Sequence, residues 1–342
     1  MEKQQSKKPL IRFPEFKDVW EHKQLNELLS EAKKRNEDLK YGKDEVLSVS
    51  GELGIVNQIE HLGRSYAGVS VHQYHVVEVG DIVYTKSPLK ANPFGIIKLN
   101  KGKAGIVSTL YAVYKVNQQT AYGPFIDYYF SLDANTNRYL RPLVKKGAKN
   151  DMKINNAYVL HDRIFAPTIP EQKRIASFFT VLDKKIAELK QKKNLLEQYK
   201  KGVMQKLFSQ ELRFKDENGK EFQKWAKKPL GKIGETYNGL TGKSKENFGE
   251  GKPYIQYKQI FDNTKIDVSK FDFVQVDENE NQNRAKYGDV FFTTSSETPL
   301  EIGYSSVLLE NVDELYLNSF CFGYRINSFK ELSPTFAQYL FR

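Results

Sequence analysis

The feature that most constrains the fold of this chain is an internal repeat. Residues 80–85 read Gly-Asp-Ile-Val-Tyr-Thr, and residues 288–293 read Gly-Asp-Val-Phe-Phe-Thr. Three further matches keep the same order at nearly the same offset: Trp20 with Trp225, residues 114–117 with 324–327, and residues 125–130 with 336–341. Ordered matches of this kind are hard to obtain without duplication, and a period of about 200 residues is too long for a solenoid unit. The sequence therefore predicts two similar domains.

Composition restricts the class of partner. The chain has 342 residues, enough for about two domains with cores of ordinary size, and a formal net charge of +11. A positive field attracts polyanions, and an aromatic content of 13% supplies rings for stacking. Nucleic acid is the favoured partner class, and a merely basic protein without such a partner is the alternative.

Cysteine content and hydropathy bear on the compartment. Cys321 is the only cysteine, so the sequence predicts no disulfide framework and no cysteine-based zinc site, and a reducing compartment is expected. The N-terminus lacks an apolar signal segment, and no window of about 18 apolar residues occurs. We expect a cytoplasmic protein with no membrane partner.

A long helix is predicted between the two copies. A helix start is indicated by Thr168, Pro170 and Glu171. The side chain of Thr168 can accept a hydrogen bond from an N–H of the first turn, and the side chain of Glu171 can accept one from the backbone N–H of Thr168, as in a capping box. Apolar residues then recur at heptad spacing, which predicts a coiled-coil seam covered by another helix. The predicted subunit-interface residues are Ile175, Phe179, Leu182, Ile186, Leu189, Leu196, Val203 and Leu207. Lysines outnumber acidic residues on this helix. They form either a face that is simply solvated or a surface that binds phosphates or an acidic partner.

Each copy is expected to mix α and β structure. In the first copy, helices are predicted near residues 23–39 and 125–132, and strands near residues 74–79, 81–84, 94–98 and 106–116. Polar side chains follow each Gly-Asp strand, at loop tips where recognition residues are usually displayed.

These loops are the candidate DNA-binding sites. The first loop contributes Thr85, Lys86, Ser87, Lys90 and Asn92, and the second contributes Thr293, Thr294, Ser295, Ser296 and Glu297. Similar strands with different polar loops fit two readers of different base pairs, and ordinary loop drift after duplication is the alternative. A second candidate surface surrounds Gly147, which allows close approach of the backbone, and consists of Lys145, Lys146, Lys149 and Asn150. Its three lysines could hold phosphates.

Motifs for catalysis are not found. Residues 239–244 read Gly-Leu-Thr-Gly-Lys-Ser, but the first glycine of a phosphate-binding loop would fall at Tyr237. Asn92-Pro93-Phe94 only faintly suggests an amino-methyltransferase motif, because the second proline is missing. The five histidines lack a companion ligand motif, so neither a catalytic nor a metal site is predicted.

In these features the chain resembles the specificity (S) subunit of type I restriction-modification systems. The resemblance covers nearly the whole chain and rests on the paired modules, the Gly-Asp strands and residues 169–176, Ile-Pro-Glu-Gln-Lys-Arg-Ile-Ala, which open the long helix. It implies an α+β fold in which two mixed α/β target-recognition domains are joined by a long coiled-coil-type helix. The implied boundaries are an N-terminal tail at 1–14, a first domain at 15–168, a helical spacer at 169–210 and an incomplete second domain at 211–342.

The resemblance also implies a function. An S subunit reads a split target in double-stranded DNA and is not itself an enzyme. It recruits type I methylation (M) subunits, which use S-adenosylmethionine, and type I restriction (R) subunits, which use ATP and Mg. On this basis the chain itself would bind no cofactor, and it would reside in the cytoplasm of a bacterium or archaeon.

One departure from the family leaves alternatives open. The family normally adds a second long helix antiparallel to the first, and counterparts of residues 132–208 are not found in the second copy. We therefore expect a C-terminally truncated chain, whose exposed seam leads to self-association or to an unstable second domain. The alternatives are a half-reader that works as a homodimer, a self-contained DNA restriction or modification enzyme, and a coiled-coil scaffold that ignores base sequence.

Overall fold

Two compact units make up the chain. The structure, a computed structural model, describes residues 6–7, 9–68, 70–146, 152–295 and 302–342. Unit 1 comprises residues 1–195 and unit 2 comprises residues 196–342. No helix among these described residues is long and apolar enough to cross a bilayer.

Unit 1 combines short strands with short helices. Its strands are β1 (Ser6–Lys7), β2 (Trp20–Gln24), β3 (Leu29–Glu31), β4 (Leu47–Ser50), β5 (Gly54–Asn57), β6 (His75–Val77), β7 (Ile82–Thr85), β8 (Ile96–Leu99), β9 (Gly105–Val107), β10 (Tyr111–Val116), β11 (Lys145–Lys146), β12 (Met152–Lys153) and β13 (Arg163–Ala166). Its shorter helices are α1 (Leu25–Leu28), α2 (Gln58–Leu62), α3 (Gly123–Ser131) and α4 (Asp133–Leu140). Short 3₁₀ turns occupy Lys43–Glu45 and Ala157–Leu160.

The central sheet of unit 1 is antiparallel, with strand order β3-β10-β7-β8. A second sheet has the order β1-β2-β13, and the pairs β4-β5, β6-β9 and β11-β12 complete the strand pairing. Tyr84 and Tyr114 are fully buried in the main core, and each hydroxyl donates to a backbone carbonyl. These two tyrosines thus bury their rings while their hydroxyl groups stay hydrogen-bonded.

The long helix α5 runs from Ile169 to Phe208, so the predicted helix and its start are confirmed. The predicted capping box is wrong. The carboxylate of Glu171 accepts hydrogen bonds from Arg12 and Trp20. The helix start is therefore fixed by a tertiary contact, which a local sequence pattern does not reveal.

Unit 2 contains the helices α6 (Leu230–Ile233), α7 (Tyr257–Asp262) and α8 (Pro334–Leu340), with a 3₁₀ turn at Lys245–Asn247. Its strands are β14 (Gly234–Asn238), β15 (Phe248–Ile255), β16 (Asp272–Val274), β17 (Val290–Thr293), β18 (Ser305–Val307), β19 (Tyr316–Leu317) and β20 (Cys321–Ile326). The sheets have the orders β14-β20-β17-β18 and β16-β15-β19. The main core of unit 2 surrounds Phe291 on β17.

The internal repeat is confirmed by the topology of the two units. The order β3-β10-β7-β8 in unit 1 corresponds strand for strand to β14-β20-β17-β18 in unit 2. Individual hydrogen bonds recur as well: Asn117 N–H donates to Leu28 O at 2.9 Å, and Asn327 N–H donates to Ile233 O at 2.9 Å. The matched sequence segments therefore build the same sheet twice.

Two sequence predictions in unit 1 need correction. The predicted helix over residues 23–39 is wrong, because α1 ends at Leu28 and Leu29 begins β3, where it pairs with Val116. The leucines have helical spacing, but strand pairing within the sheet outweighs that local preference. The predicted strand over residues 106–116 is two strands, β9 and β10, joined by a turn.

The predicted helix over residues 125–132 is confirmed as α3, which begins two residues earlier at Gly123. Pro124 lies in its first turn, where its missing N–H costs no intrahelical hydrogen bond. Sequence reasoning missed α4, which follows directly. Its residues Asp-Ala-Asn-Thr-Asn-Arg-Tyr-Leu are mostly weak helix formers, so tertiary packing of Tyr139 and Leu140 sustains it.

Candidate nucleic-acid interface

The first candidate loop, residues 86–95, connects β7 to β8. It is closed by reciprocal backbone hydrogen bonds, since Leu89 N–H donates to Asn92 O at 3.0 Å and Asn92 N–H donates to Leu89 O at 3.1 Å. Ser87 and Lys90 are exposed at this turn, whereas Lys86 is half-buried. The loop thus displays one hydroxyl and one ammonium group on a hydrogen-bonded turn.

The base of this loop is closely packed around Gly95. Its φ is 93°, in the left-handed region that favours glycine, and a Cβ built there would lie 2.0 Å from the carbonyl oxygen of Thr85. The hydroxyl of Tyr84 donates to Phe94 O at 2.8 Å. The end of β7 and the start of β8 are therefore held together at the point where the loop leaves the sheet.

The second candidate loop, residues 294–304, connects β17 to β18 and so has the same place in unit 2. Thr293 N–H donates to Tyr304 O at 3.0 Å, and Gly303 N–H donates to Thr293 O at 3.1 Å. Gly303 has a φ of 83°, like its counterpart Gly95. The two candidate loops are thus equivalent connections with equivalent glycines at their ends.

Neighbouring elements support the described part of the second loop. The hydroxyl of Thr294 donates to Phe320 O at 2.8 Å, and the hydroxyl of Tyr257 on α7 donates to Ser295 O at 2.6 Å. The side chains of Thr294 and Ser295 are exposed. Ser296 and Glu297, which the sequence also indicated, lie outside the described residues.

Three of the predicted DNA-binding residues do not face solvent. The side chains of Thr85, Asn92 and Thr293 are buried, and the hydroxyl of Thr85 accepts from Ser87 N–H at 3.2 Å. Thr85 and Thr293 end strands that are buried along nearly their whole length, and Asn92 is buried at the turn that it closes with Leu89. For these three residues the structure argues against direct contact of the side chain with DNA.

The second candidate surface is only partly described. Lys145 is exposed on β11, and Lys146 follows it on the same strand. The side chain of Lys146, and both Lys149 and Asn150, lie outside the described residues. The structure therefore establishes the position of one exposed lysine on this surface.

Sequence reasoning missed a pair of equivalent ionic clusters at the start of β7 and β17. In unit 1, Asp81 lies 2.9 Å from the ammonium of Lys115, which also contacts Glu78 at 2.8 Å. Burial raises the pKa of Asp81, although the hydrogen bonds from Glu78 N–H and Lys115 oppose the effect. The available signal was the repeated Gly-Asp motif together with the cation in each matched Tyr-Lys or Tyr-Arg segment.

In unit 2 the corresponding cluster is more extensive. The guanidinium of Arg325 donates to both carboxylate oxygens of Asp289, at 3.0 and 2.7 Å, and the hydroxyl of Tyr237 donates to Asp289 at 2.6 Å. Burial is the main cause that raises the pKa of Tyr237, followed by the charge of Asp289. These clusters fix the sheet that supports each loop.

A third missed feature is a buried histidine near the first loop. His75 on β6 is buried, and its Nδ1 has no hydrogen-bond partner among the described residues. Burial, with the nearby charges of Arg35 and Lys86, lowers the pKa of His75 to about 4. Burial also lowers the pKa of Lys86, while Glu31 opposes this effect. The first loop therefore begins beside a neutral imidazole and a half-buried ammonium.

The predicted interface stripe on α5 is largely exposed. Its middle residues have exposed fractions of 42% to 56%: Phe179, Leu182, Ile186, Leu189 and Leu196. Val203 and Leu207 are half-buried. Ile175 packs against the unit 1 core, so for this residue the prediction of an external contact is corrected.

Comparisons with solved structures identify the fold. A chain from a structure on complex assembly and conformational transition of the type I R-M system aligns with a TM-score of 0.53 and 16% identity, covering 97% of this chain and 81% of that chain. The HsdS subunit from Thermoanaerobacter tengcongensis aligns with a TM-score of 0.48 and 15% identity, covering 97% and 80%. The type I restriction-modification S subunit from M. genitalium aligns with a TM-score of 0.44 and 15% identity, covering 93% and 77%.

No family model and no curated protein matches the sequence. The first of the structural alignments shows that the chain shares the α+β fold of a component of a type I R-M system. That fold agrees with the resemblance inferred from the sequence motifs.

Proposed function

We propose that this chain is the sequence-specific DNA-recognition subunit of a type I restriction-modification complex and reads a bipartite target. One observation carries the proposal. The same strand connection occurs in both units, at 86–95 and 294–304, with equivalent glycines at its end and different polar residues along it. A shared framework with different loops is the arrangement expected of two readers with different half-sites.

The exposed loop residues supply suitable chemistry for base edges. Ser87 in the first loop and Ser295 in the second carry hydroxyl groups that can both donate and accept hydrogen bonds. The hydroxyl of Thr294 donates to Phe320 O and can still accept a hydrogen bond. Lys90 carries an ammonium group that suits the acceptors of guanine or a phosphate oxygen. The two loops would therefore favour different base pairs.

Affinity would come mainly from the positive charge. The chain has 53 lysine and arginine residues against 42 acidic residues. Neutralised phosphates release counterions, so this contribution carries no sequence information and weakens with salt. Lys145 on β11 and the lysines on α5 are the cations we assign to such a surface.

We further propose that the chain is not an enzyme and acts through partner subunits. Methylation subunits would supply S-adenosylmethionine chemistry, and restriction subunits would supply ATP- and Mg-dependent chemistry, with no cofactor bound by this chain. The exposed stripe on α5 supports docking of a helix, either from such a subunit or from a second copy. The setting would be the cytoplasm of a bacterium or archaeon.

Co-expression with the cognate methylation subunit tests this function. N6-methyladenine is mapped across the host genome, with each protein expressed alone as a control. A split, asymmetric motif that requires both proteins is expected. A palindromic motif would favour the homodimeric half-reader, and methylation or cleavage by the purified chain alone would favour the self-contained enzyme. Methylation without any motif would contradict the proposal.

A further inference from the structure

A groove of about 820 Å³ lies between the end of the first candidate loop and α4, the helix that sequence reasoning missed. The residues that line it come from both segments: Pro93, Phe94, Asn137, Arg138, Arg141 and Pro142. All of them belong to unit 1. The groove therefore lies beside the loop to which we assign the reading of one half-site.

A hydrogen bond joins α4 to the loop. The side-chain amide of Asn137 donates to the carbonyl oxygen of Ala91 at 2.9 Å, and Ala91 follows the exposed Lys90 in the chain. Tyr139 and Leu140 anchor the same helix in the core, where the hydroxyl of Tyr139 donates to a backbone carbonyl at 2.7 Å. The position of the loop relative to the arginines of α4 is therefore set by packing and hydrogen bonding within unit 1.

Two exposed arginines give the groove a positive charge that no carboxylate of the described chain neutralises. The guanidinium of Arg138 donates to the side-chain oxygen of Asn135 at 2.8 Å, which is a neutral acceptor. The guanidinium of Arg141 has neither a hydrogen-bond nor an ion-pair partner among the described residues. By contrast, Arg12 and Arg174 of the same unit pair with glutamates. The groove thus presents guanidinium N–H groups that are available to an external anion.

The spacing and chemistry of these residues suit a sugar-phosphate backbone. Arg138 and Arg141 are three residues apart, and Arg141 keeps helical backbone dihedrals, with φ −52° and ψ −46°. Side chains at this spacing start about 5 to 6 Å apart on one face of a helix. Guanidinium groups match phosphate oxygens in a bidentate geometry. The rings of Pro93, Phe94 and Pro142 add an apolar surface on which a deoxyribose can pack.

We propose that this groove binds the phosphodiester backbone of the DNA strand beside the half-site that the first candidate loop reads. Arg138 and Arg141 bind phosphate oxygens there. Because Asn137 joins α4 to the loop, this backbone contact also determines where Ser87 and Lys90 meet the bases. The inference rests on the proposed function, to which it adds a phosphate site on a helix that no sequence pattern indicated.

Phosphate-ethylation interference on the complex of the full chain, the methylation subunit and target DNA tests the site. Ethylation neutralises single phosphates, so DNA that is ethylated at a required phosphate is depleted from the bound fraction. The variant Arg138→Gln with Arg141→Gln should lose interference at one or two phosphates beside the half-site of the first loop and keep it elsewhere. The variant Ser87→Ala with Lys90→Ala identifies that half-site. An unchanged pattern in the arginine variant would overturn the proposal.

Affinity and its salt dependence give a second readout with a matched control. Each arginine removed should weaken binding to target and non-target DNA alike by on the order of tenfold and reduce the salt slope by about 1. Arg64→Gln with Lys103→Gln removes the same charge from two exposed cations of unit 1 that do not line the groove. This control should leave the interference pattern intact. An equal loss of affinity in the control would mean that only the overall positive field matters, which contradicts the site.

Two further measurements separate the site from a structural role of the arginines. Cations near the C-terminus of a helix also stabilise it, so faster amide exchange in α4 of the glutamine variant with unchanged interference would refute the site and leave the proposed function standing. Arg138→Lys with Arg141→Lys keeps both charges and should recover part of the affinity. A wild-type complex that binds no DNA would refute both the proposed function and the site.

Discussion

Replacement of Asp289 by alanine should destabilise unit 2 more than the equivalent replacement of Asp81 destabilises unit 1. Asp289 is buried and accepts hydrogen bonds from Tyr237, from two nitrogens of Arg325 and from the backbone N–H of Lys286. Its removal leaves a buried hydroxyl and a partly buried guanidinium without these partners. Such orphaned groups cost more than the net value of the bonds themselves.

The magnitude follows from the number and burial of the partners. Loss of the Tyr237 and Lys286 contacts costs roughly 1 kcal/mol each, and loss of the Arg325 pair adds about 1 kcal/mol after discounting for the solvent that still reaches the guanidinium. The expected total is about 3 kcal/mol. For Asp81→Ala, loss of the hydrogen bond from Glu78 N–H costs roughly 1 kcal/mol, and loss of the contact with the more exposed ammonium of Lys115 adds about 0.5 kcal/mol, so about 1.5 kcal/mol is expected.

Hydrogen exchange measured by mass spectrometry distinguishes the two variants without separating the units. The 3 kcal/mol loss corresponds to exchange on the order of a hundredfold faster in the protected amides of β17 and β20. Asp81→Ala should accelerate exchange in β7 and β10 by only about tenfold. Equal acceleration in both variants, or a larger effect of Asp81→Ala, would refute the reasoning from burial and partner count.

Three further predictions concern the loops and their supports. Gly95→Ala should accelerate amide exchange in β7 and β8 much more than Gly303→Ala does in β17 and β18. A Cβ at Gly95 meets the carbonyl oxygen of Thr85, whereas one at Gly303 meets none of the described residues within 4 Å. Similar effects of the two variants would contradict this account. Stability to urea should fall as the pH drops from about 6.5 to about 4, because histidine in the unfolded chain binds a proton in this range and folded His75 does not. This proton uptake lowers the free energy of unfolding by up to about 3 kcal/mol. The variant His75→Gln should show a weaker dependence of stability on pH. Lys90→Ala should weaken binding to target and non-target DNA alike and reduce the salt slope by about 1, whereas a loss confined to the target would identify a base contact.

The repeat and the long helix were predictable from the sequence because each is marked by a sequence pattern that can be recognised without knowledge of the tertiary structure. The Gly-Asp motif marks the same strand twice, and heptad spacing marks α5. The order of the sheet was not predictable in this way. Leu29 shows why, because its strand pairing with Val116 joins residues far apart in the chain.

The candidate loops were predictable in position but not in detail. Polar residues after each Gly-Asp strand indicated the loops, yet Thr85 and Thr293 end their strands facing the core. The partners of Glu171 were also beyond local pattern, because Arg12 is nearly the whole of unit 1 away in sequence. Local rules suggested a capping box, and a long-range ion pair took its place.

The central claim is that the two equivalent loops read separate halves of one target. Two variants of the full chain, Ser87→Ala with Lys90→Ala and Thr294→Ala with Ser295→Ala, are each co-expressed with the methylation subunit, and the methylated motif is mapped. The account predicts that the first variant relaxes one half of the motif and the second variant relaxes only the other half. A change in both halves by either variant, or an unaltered motif in both, would contradict it.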